Sequence, residues 1–68
     1  MIEPGVYEHY TGARYEVITL ARHSETEEQV VVYRQLYGDR GVWVRPADMF
    51  GEQVEVHGEH VPRFRRVD

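Results

Sequence analysis

The sequence predicts an all-β domain, a small SH3-like five-stranded barrel with one short helical turn before the last strand or strands. Short runs of β-branched and aromatic residues recur between glycines, and helical periodicity is nearly absent. The 68 residues suffice for one hydrophobic core, so we expect a single domain over residues 1–68. A chain of this size buries only about 60% of its unfolded surface, which predicts modest stability.

The first two strands are predicted over Gly5–Tyr10 and Arg14–Arg22, on either side of a Thr11-Gly12 turn. Within the second strand the apolar residues alternate up to Val17 and resume out of phase at Ile18. A change of phase inside a long strand predicts a β-bulge or a strong bend, as a closing barrel requires.

The third and fourth strands are predicted over Gln29–Tyr37 and Val42–Arg45. The third has apolar residues on both faces, which is typical of a central strand. We interpret the connection as a three-residue hairpin loop that ends with Gly41 in the left-handed conformation. This loop pairs Tyr37 with Trp43.

A helical turn is predicted over Ala47–Phe50, after Pro46 ends the fourth strand. Proline is tolerated at the start of a helix, and Gly51 is suited to end it. Met49 or Phe50 is expected to face the core.

The last hairpin is predicted over Gln53–Val61, with a type II′ turn that places Gly58 at its first central position. This arrangement pairs His57 with His60. Two opposed imidazoles can chelate a metal, but a stable site needs three or four ligands with further support. We therefore predict no metal and no cofactor.

The alternation of the third and fourth strands predicts two different faces. One carries aromatic side chains and an arginine: Tyr33, Tyr37, Trp43 and Arg45. The other carries the residues expected in the core: Val30, Val32, Leu36, Val42 and Val44. The first composition is typical of binding hot spots, although the same rings can also complete the core of a very small domain.

A second candidate for binding is the polar loop that begins Arg22-His23-Ser24-Glu25. Arg22 can hold an anion, while His23 and Ser24 orient it. The alternative is a solvated loop in which Ser24 caps a turn at the capping-box spacing to Glu27. Neighbouring residues of an extended chain point apart, which disfavours His23 and Ser24 as a catalytic pair.

The charge of the chain disfavours general nucleic-acid binding, because such binding comes mainly from neutralising phosphates. The net charge is −4, and all eight basic residues are arginine. Arg63, Arg65 and Arg66 form the only basic cluster. Without a cysteine or a membrane-spanning apolar stretch, we expect a cytoplasmic protein without membrane partners.

Several motifs in combination resemble the bacterial family catalogued as domain of unknown function 1653. They occur in this order: Gly5-Val6-Tyr7, Arg22-His23-Ser24-Glu25-Thr26-Glu27, Val31-Val32-Tyr33, Leu36-Tyr37-Gly38-Asp39, Trp43-Val44-Arg45-Pro46, Met49-Phe50 and Pro62-Arg63-Phe64. The resemblance covers nearly the whole chain and departs from the family at Thr11, where a lysine is usual. It implies a short bacterial protein and brings no activity, cofactor or partner.

The sequence thus favours a small binding module over an enzyme without deciding between them. The expected ligand is a peptide, a protein or a small anionic or planar molecule, contacted by the aromatic-arginine face and the 22–26 loop. One alternative is a nucleic-acid-binding barrel that stacks bases and uses the C-terminal arginines. Another is a small enzyme or accessory subunit that uses the His23 loop. The unpaired edge near Val61–Phe64 also allows a weak homodimer beside the monomer.

Overall fold

The computed structural model describes residues 2–68, which form strands and one helical turn. In chain order the elements are β1 (Gly5–His9), β2 (Arg14–Arg22), β3 (Gln29–Gln35), β4 (Val42–Pro46), α1 (Ala47–Phe50), β5 (Gln53–Val56), β6 (Glu59–Pro62) and β7 (Phe64–Arg66). The predicted all-β class with one short helical turn is confirmed.

The main sheet has five antiparallel strands in the order β4-β3-β2-β1-β7, and β5 and β6 form a separate two-stranded sheet. The main sheet is open, with β4 and β7 at its edges. No helix within residues 2–68 has the length and apolar character needed to cross a membrane.

The predicted irregularity in β2 is present. The register with β3 shifts between Val17 and Thr19, which leaves Ile18 as the extra residue. Val17 is buried and Ile18 is exposed. The bulge therefore lets both halves of a nine-residue strand direct apolar side chains to the same side of the sheet.

The core lies on one side of the main sheet, under α1. Phe50 is buried there, with its ring stacked on Phe64 at 4.0 Å and edge-on to Tyr7 at 5.5 Å between ring centres. Met49 is exposed, so Phe50 is the residue of this turn that faces the core. The N–H of Gly51 donates to the carbonyl of Ala47 and ends the helical turn as predicted.

The prediction that Val42 and Val44 belong to the core is wrong. Their side chains are 51% and 63% exposed. Residues paired across a sheet share a face, so Tyr33 beside Trp43 marks the core side, and the two valines lie on the outer face. Since β4 is an edge strand, no neighbouring strand covers them beyond β3.

The predicted register between β3 and β4 is also wrong, because β3 ends at Gln35 and the connection covers residues 36–41. Trp43 pairs with Tyr33 instead of Tyr37. The left-handed positions of this loop are Gly38 (φ 60°) and Arg40 (φ 56°), not Gly41. The N–H of Gly41 donates to the Asp39 carboxylate at 3.1 Å, which stabilises the longer turn.

The β5–β6 hairpin is present but turns one residue earlier than predicted. Val56 pairs with Glu59, so the turn consists of His57 (φ 51°) and Gly58 (φ 82°). Two successive positive φ angles define a type I′ turn, in which Gly58 is the second central residue. His60 consequently pairs with Glu55, and the predicted pairing of the two histidines is wrong.

Candidate functional site

An open cleft of about 180 Å³ lies at the end of the main sheet where β3 leaves for the 36–41 loop. We call it the aromatic cleft; its lining residues are Tyr15, Tyr33, Gln35, Tyr37 and Trp43. Tyr33 is buried and forms the floor, while Trp43 and Tyr37 are 55% and 45% exposed. Three of the four residues predicted for the aromatic-arginine face therefore meet in one cleft.

Hydrogen bonds hold the exposed rings of the aromatic cleft in place. The indole Nε1–H of Trp43 donates to Oε1 of Gln35 at 2.7 Å. The hydroxyl oxygens of Tyr15 and Tyr37 are 2.9 Å apart. The ring of Tyr15 also packs edge-on against Tyr33, with 5.3 Å between ring centres. A ring that is already fixed loses little conformational freedom when a ligand binds.

Gly41 leaves room for the hydrogen bond between Gln35 and Trp43. A Cβ atom at this position would lie 3.1 Å from Oε1 of Gln35 and 3.2 Å from Nε1 of Trp43, the two atoms that form the hydrogen bond. Both distances are shorter than ordinary van der Waals contacts. A side chain at this position would have to displace these atoms by a few tenths of an ångström, so glycine suits the packing of the aromatic cleft and is not needed for a left-handed backbone.

The two hydroxyl groups in the cleft differ in acidity. Burial, followed by the hydrogen bond to Tyr37, raises the pKa of Tyr15 to about 12. Hydrogen bonds from Tyr15 and then Gln35 lower the pKa of Tyr37 below its ordinary value. Tyr15 is therefore the donor in the pair when Tyr37 ionises, and Tyr15 itself is protonated at neutral pH.

Arg45 lies next to the aromatic cleft on the same face. Its guanidinium carbon is 5.5 Å from the centre of the Phe64 ring, and that ring also packs edge-on against Tyr15. Arg45 forms no ion pair with any of residues 2–68. Burial, followed by the positive charges of Arg45 and Arg63, lowers the pKa of His9, which also packs on Phe64.

The loop that begins at Arg22 lies at the other end of the sheet. Arg22 pairs with Gln29, four residues along β3 from Tyr33, or about 13 Å at the rise of a strand. The structure does not bring Arg22, His23, Ser24 and Glu25 together with the aromatic cleft. Ligand binding by this loop stays a prediction.

Inside that loop, His23 takes the capping role that the sequence assigned to Ser24. Nδ1 of His23 accepts hydrogen bonds from the backbone N–H groups of Glu25 and Thr26, at 3.1 and 3.4 Å. The N–H of Glu27 donates to the carbonyl of His23 at 2.8 Å. The segment is a turn without a helix, because Glu27 adopts a left-handed φ of 62°.

Sequence reasoning missed Tyr15 and Gln35. Both lie on strands that were predicted, and they pair directly with each other across β2 and β3. The alternation of β2 already placed Tyr15 on the same face as Val17. The pairing of β2 with β3, which brings Gln35 beside Tyr15, could not be predicted, because no tight turn between the two strands fixes their register.

A larger cleft of about 350 Å³ lies between the main sheet and the β5–β6 hairpin. It is lined by aliphatic and aromatic side chains with a charged rim: Glu8, His9, Tyr10, Val56, Val61, Pro62 and Arg65. Its charges are already matched, since Glu8 pairs with Arg65 at 2.9 Å and with Arg14 at 3.4 Å.

The remaining candidate groups have local partners or do not meet. Arg66 pairs with Glu3 and Asp68, at 3.1 and 2.9 Å. Together with the Glu8 pair of Arg65, this engages two of the three arginines at the C-terminal end. Over residues 2–68, no group of three or more histidines and carboxylates is placed to hold a metal ion.

Residues 5–66 match the model of a protein family described as a protein of unknown function (DUF1653). The chain is also similar to the crystal structure of a protein of that family from Bordetella bronchiseptica, with a TM-score of 0.89. The two sequences are 41% identical over 97% of this chain and 87% of the other. Comparison with curated proteins finds none that matches.

Proposed function

Since the chain belongs to the DUF1653 family, as its motifs predict, and that family has no known function, we propose a function from the surface of the molecule itself. The protein is a small binding module that holds a planar group with a negative charge, on a peptide or a small molecule. The observation that carries the proposal is the pair of exposed rings, Trp43 and Tyr37, fixed by hydrogen bonds beside the unpaired Arg45.

The planar part of the ligand is matched by the rings. Trp43 and Tyr37 bury large areas at low cost in side-chain entropy, because their hydroxyl and indole groups are already hydrogen-bonded. An aromatic ring, a planar amide or a proline ring fits such a surface. The larger cleft under the hairpin offers aliphatic contacts instead, and its charged groups already pair with each other.

The negative charge of the ligand is matched by Arg45. Four of the eight arginines have no ion pair among residues 2–68, and Arg45 is the one that follows Trp43 on the face of the aromatic cleft. Its guanidinium rests on Phe64, which holds the charge at the surface beside Tyr15. A guanidinium can bind a carboxylate or phosphate through two parallel hydrogen bonds.

The composition of the aromatic cleft favours binding over catalysis. Its lining consists of aromatic side chains and one amide, and Tyr15, with a pKa near 12, is a poor base at neutral pH. His23, the basis of the enzyme alternative, uses Nδ1 to hold its own loop.

The order of the five strands, with a helical turn between β4 and the last strands, supports an SH3-like barrel as the finer description of this module. Its absence of cysteine agrees with a cytoplasmic location.

NMR titration of the ¹⁵N-labelled protein tests the proposal. The ligands are phenylacetate, its neutral amide and acetate, then a tyrosine-ended peptide with a free or an amidated carboxyl group, and a single-stranded oligonucleotide. We expect the Trp43 indole signal to shift with the charged aromatic ligands, less with the amides and least with acetate. Tighter binding of the peptide with the free carboxyl group than of phenylacetate would indicate a peptide ligand instead of a small molecule. Oligonucleotide binding with steep salt dependence would support the nucleic-acid alternative instead.

Two variants with the same charge change provide the control. Arg45→Gln should reduce binding of the charged aromatic ligand to the level of its amide. Arg34→Gln should leave binding unchanged, because Arg34 pairs with Glu16 on the outer face. Equal effects of both variants, or shifts at Val56 and Val61 in place of Trp43, would show that the site is wrongly assigned.

A further inference from the structure

The free edge of β4 is chemically different from the other edge of the main sheet. Val42, Trp43 and Val44 are uncharged and more than half exposed. Edge strands usually carry charges or prolines that prevent pairing with another strand. The opposite edge strand, β7, follows that rule with Arg65 and Arg66. In β4, the charge and the proline come only at the end of the strand, at Arg45 and Pro46.

The register defines which backbone groups of β4 are free. The N–H of Gln35 donates to the carbonyl of Gly41, so this pair is hydrogen-bonded, and so are alternate pairs along the ladder, including Tyr33 with Trp43. The N–H and C=O groups of Val42 and Val44 consequently point away from β3. They form a short row of unpaired donors and acceptors along the edge of the sheet.

We infer that this row binds a second copy of the chain, through antiparallel pairing of β4 with β4 in which Val42 lies opposite Val44 of the second copy. In this register each free N–H of one valine meets the free C=O of the other, and the two-fold axis repeats the pair. A register displaced towards Pro46 leaves a carbonyl of Val42 without a donor, because proline has no N–H.

The side chains fit the same register. The two Trp43 residues become a non-hydrogen-bonded pair, in which Cα atoms are only about 4.5 Å apart and side chains are closest. Both indoles lie on the face of the aromatic cleft. On the outer face each exposed valine covers the valine opposite. Farther along, Arg45 lies opposite Gly41, so no like charges are directly opposed.

This dimer is formed by an edge other than the Val61–Phe64 segment considered from the sequence. Val61 and Phe64 each pair on one side only, with Val54 and His9, so dimerisation through that segment stays a separate prediction. The inference does not depend on the proposed ligand, because it rests on the free backbone groups of β4. A monomer that binds phenylacetate would support the proposed function and refute the dimer.

Sedimentation of the full chain from about 10 μM to about 1 mM covers the range in which small interfaces assemble. We expect the mass to rise with protein concentration towards that of a dimer and no further, because each chain has one such edge. A mass that stays monomeric throughout would overturn the inference and leave the β4 edge to a strand of another protein.

Charge substitutions test the register. Val42→Lys with Val44→Lys puts like charges opposite each other and should weaken the dimer roughly tenfold or more. Val42→Lys with Val44→Glu puts opposite charges there and should retain it. The Lys-Lys chain mixed with a Glu-Glu chain should form a heterodimer. Circular dichroism checks that each variant is folded. If the Lys-Lys chain does not fold, the Glu-Glu chain replaces it as the variant with like charges, because its acidic residue 42 lies beside Arg34. Equal dimerisation of all variants would refute this pairing.

Discussion

Phe50 should carry a large share of the stability of this domain. It is 2% exposed and contacts Tyr7, Tyr33 and Phe64, so it joins α1 to three strands of the main sheet. Replacement of a buried phenylalanine by alanine costs about 3–5 kcal/mol. A domain of this length is expected to have a total of about 3–10 kcal/mol. Phe50→Ala should therefore remove about a third or more of the free energy of unfolding, and all of it if the total lies at the low end of that range.

Urea denaturation followed by circular dichroism measures the effect. Phe50→Leu keeps most of the apolar volume and should cost only about 1.5 kcal/mol, which gives a measurable transition if the alanine variant does not fold. Met49→Ala, in the same helical turn but 43% exposed, should change the free energy of unfolding by less than about 0.5 kcal/mol. A loss below about 1 kcal/mol for Phe50→Ala would refute the assignment of Phe50 to the centre of the core.

Three further predictions concern titration and the hairpin. Folding raises the pKa of Tyr15 from 10.0 to about 12, so the contribution of this hydroxyl to the free energy of unfolding should be complete below pH 10 and decline up to about pH 12. Tyr37→Phe removes a hydrogen bond that raises this pKa, so the pKa measured by NMR titration should fall. Since folding lowers the pKa of His9 from 6.5, its contribution should be present above pH 6.5 and decrease below it; Arg45→Gln should raise this pKa by NMR, and an unchanged value would contradict the proximity. His57→Asn should raise the free energy of unfolding in urea by up to about 1 kcal/mol, because asparagine tolerates the left-handed φ of 51°, whereas a loss would refute the turn assignment.

The sequence pattern predicted the strands and the helical turn better than it predicted how they pair and pack. The bulge after Val17 and the helical turn Ala47–Phe50 both followed from local signals, a change of apolar phase and a proline before a short apolar segment. The side of β4 that faces the core was predicted wrongly. Alternation separates Val42 and Val44 from Trp43 but does not say which set is inside, and burial of Tyr33 and Phe50 decided it.

The aromatic cleft was predicted in composition but not in arrangement. Tyr33, Tyr37 and Trp43 were singled out from the sequence, and they line one cleft. Their partners Tyr15 and Gln35 depend on the pairing of β2 with β3, which is a contact between residues far apart in the chain. The loop length after Gln35 could not be fixed either, because Arg40 adopts a left-handed conformation that a pattern assigns to glycine.

The β5–β6 hairpin stands apart from the rest of the molecule. The N–H of Arg63 donates to the carbonyl of Glu52 at 2.9 Å, so the chain enters and leaves the hairpin one hydrogen bond apart. Of the buried apolar residues described between positions 2 and 68, none comes from residues 53–62. Because the hairpin contributes no fully buried apolar residue, we expect a foreign segment grafted between Glu52 and Arg63 to leave the main sheet folded.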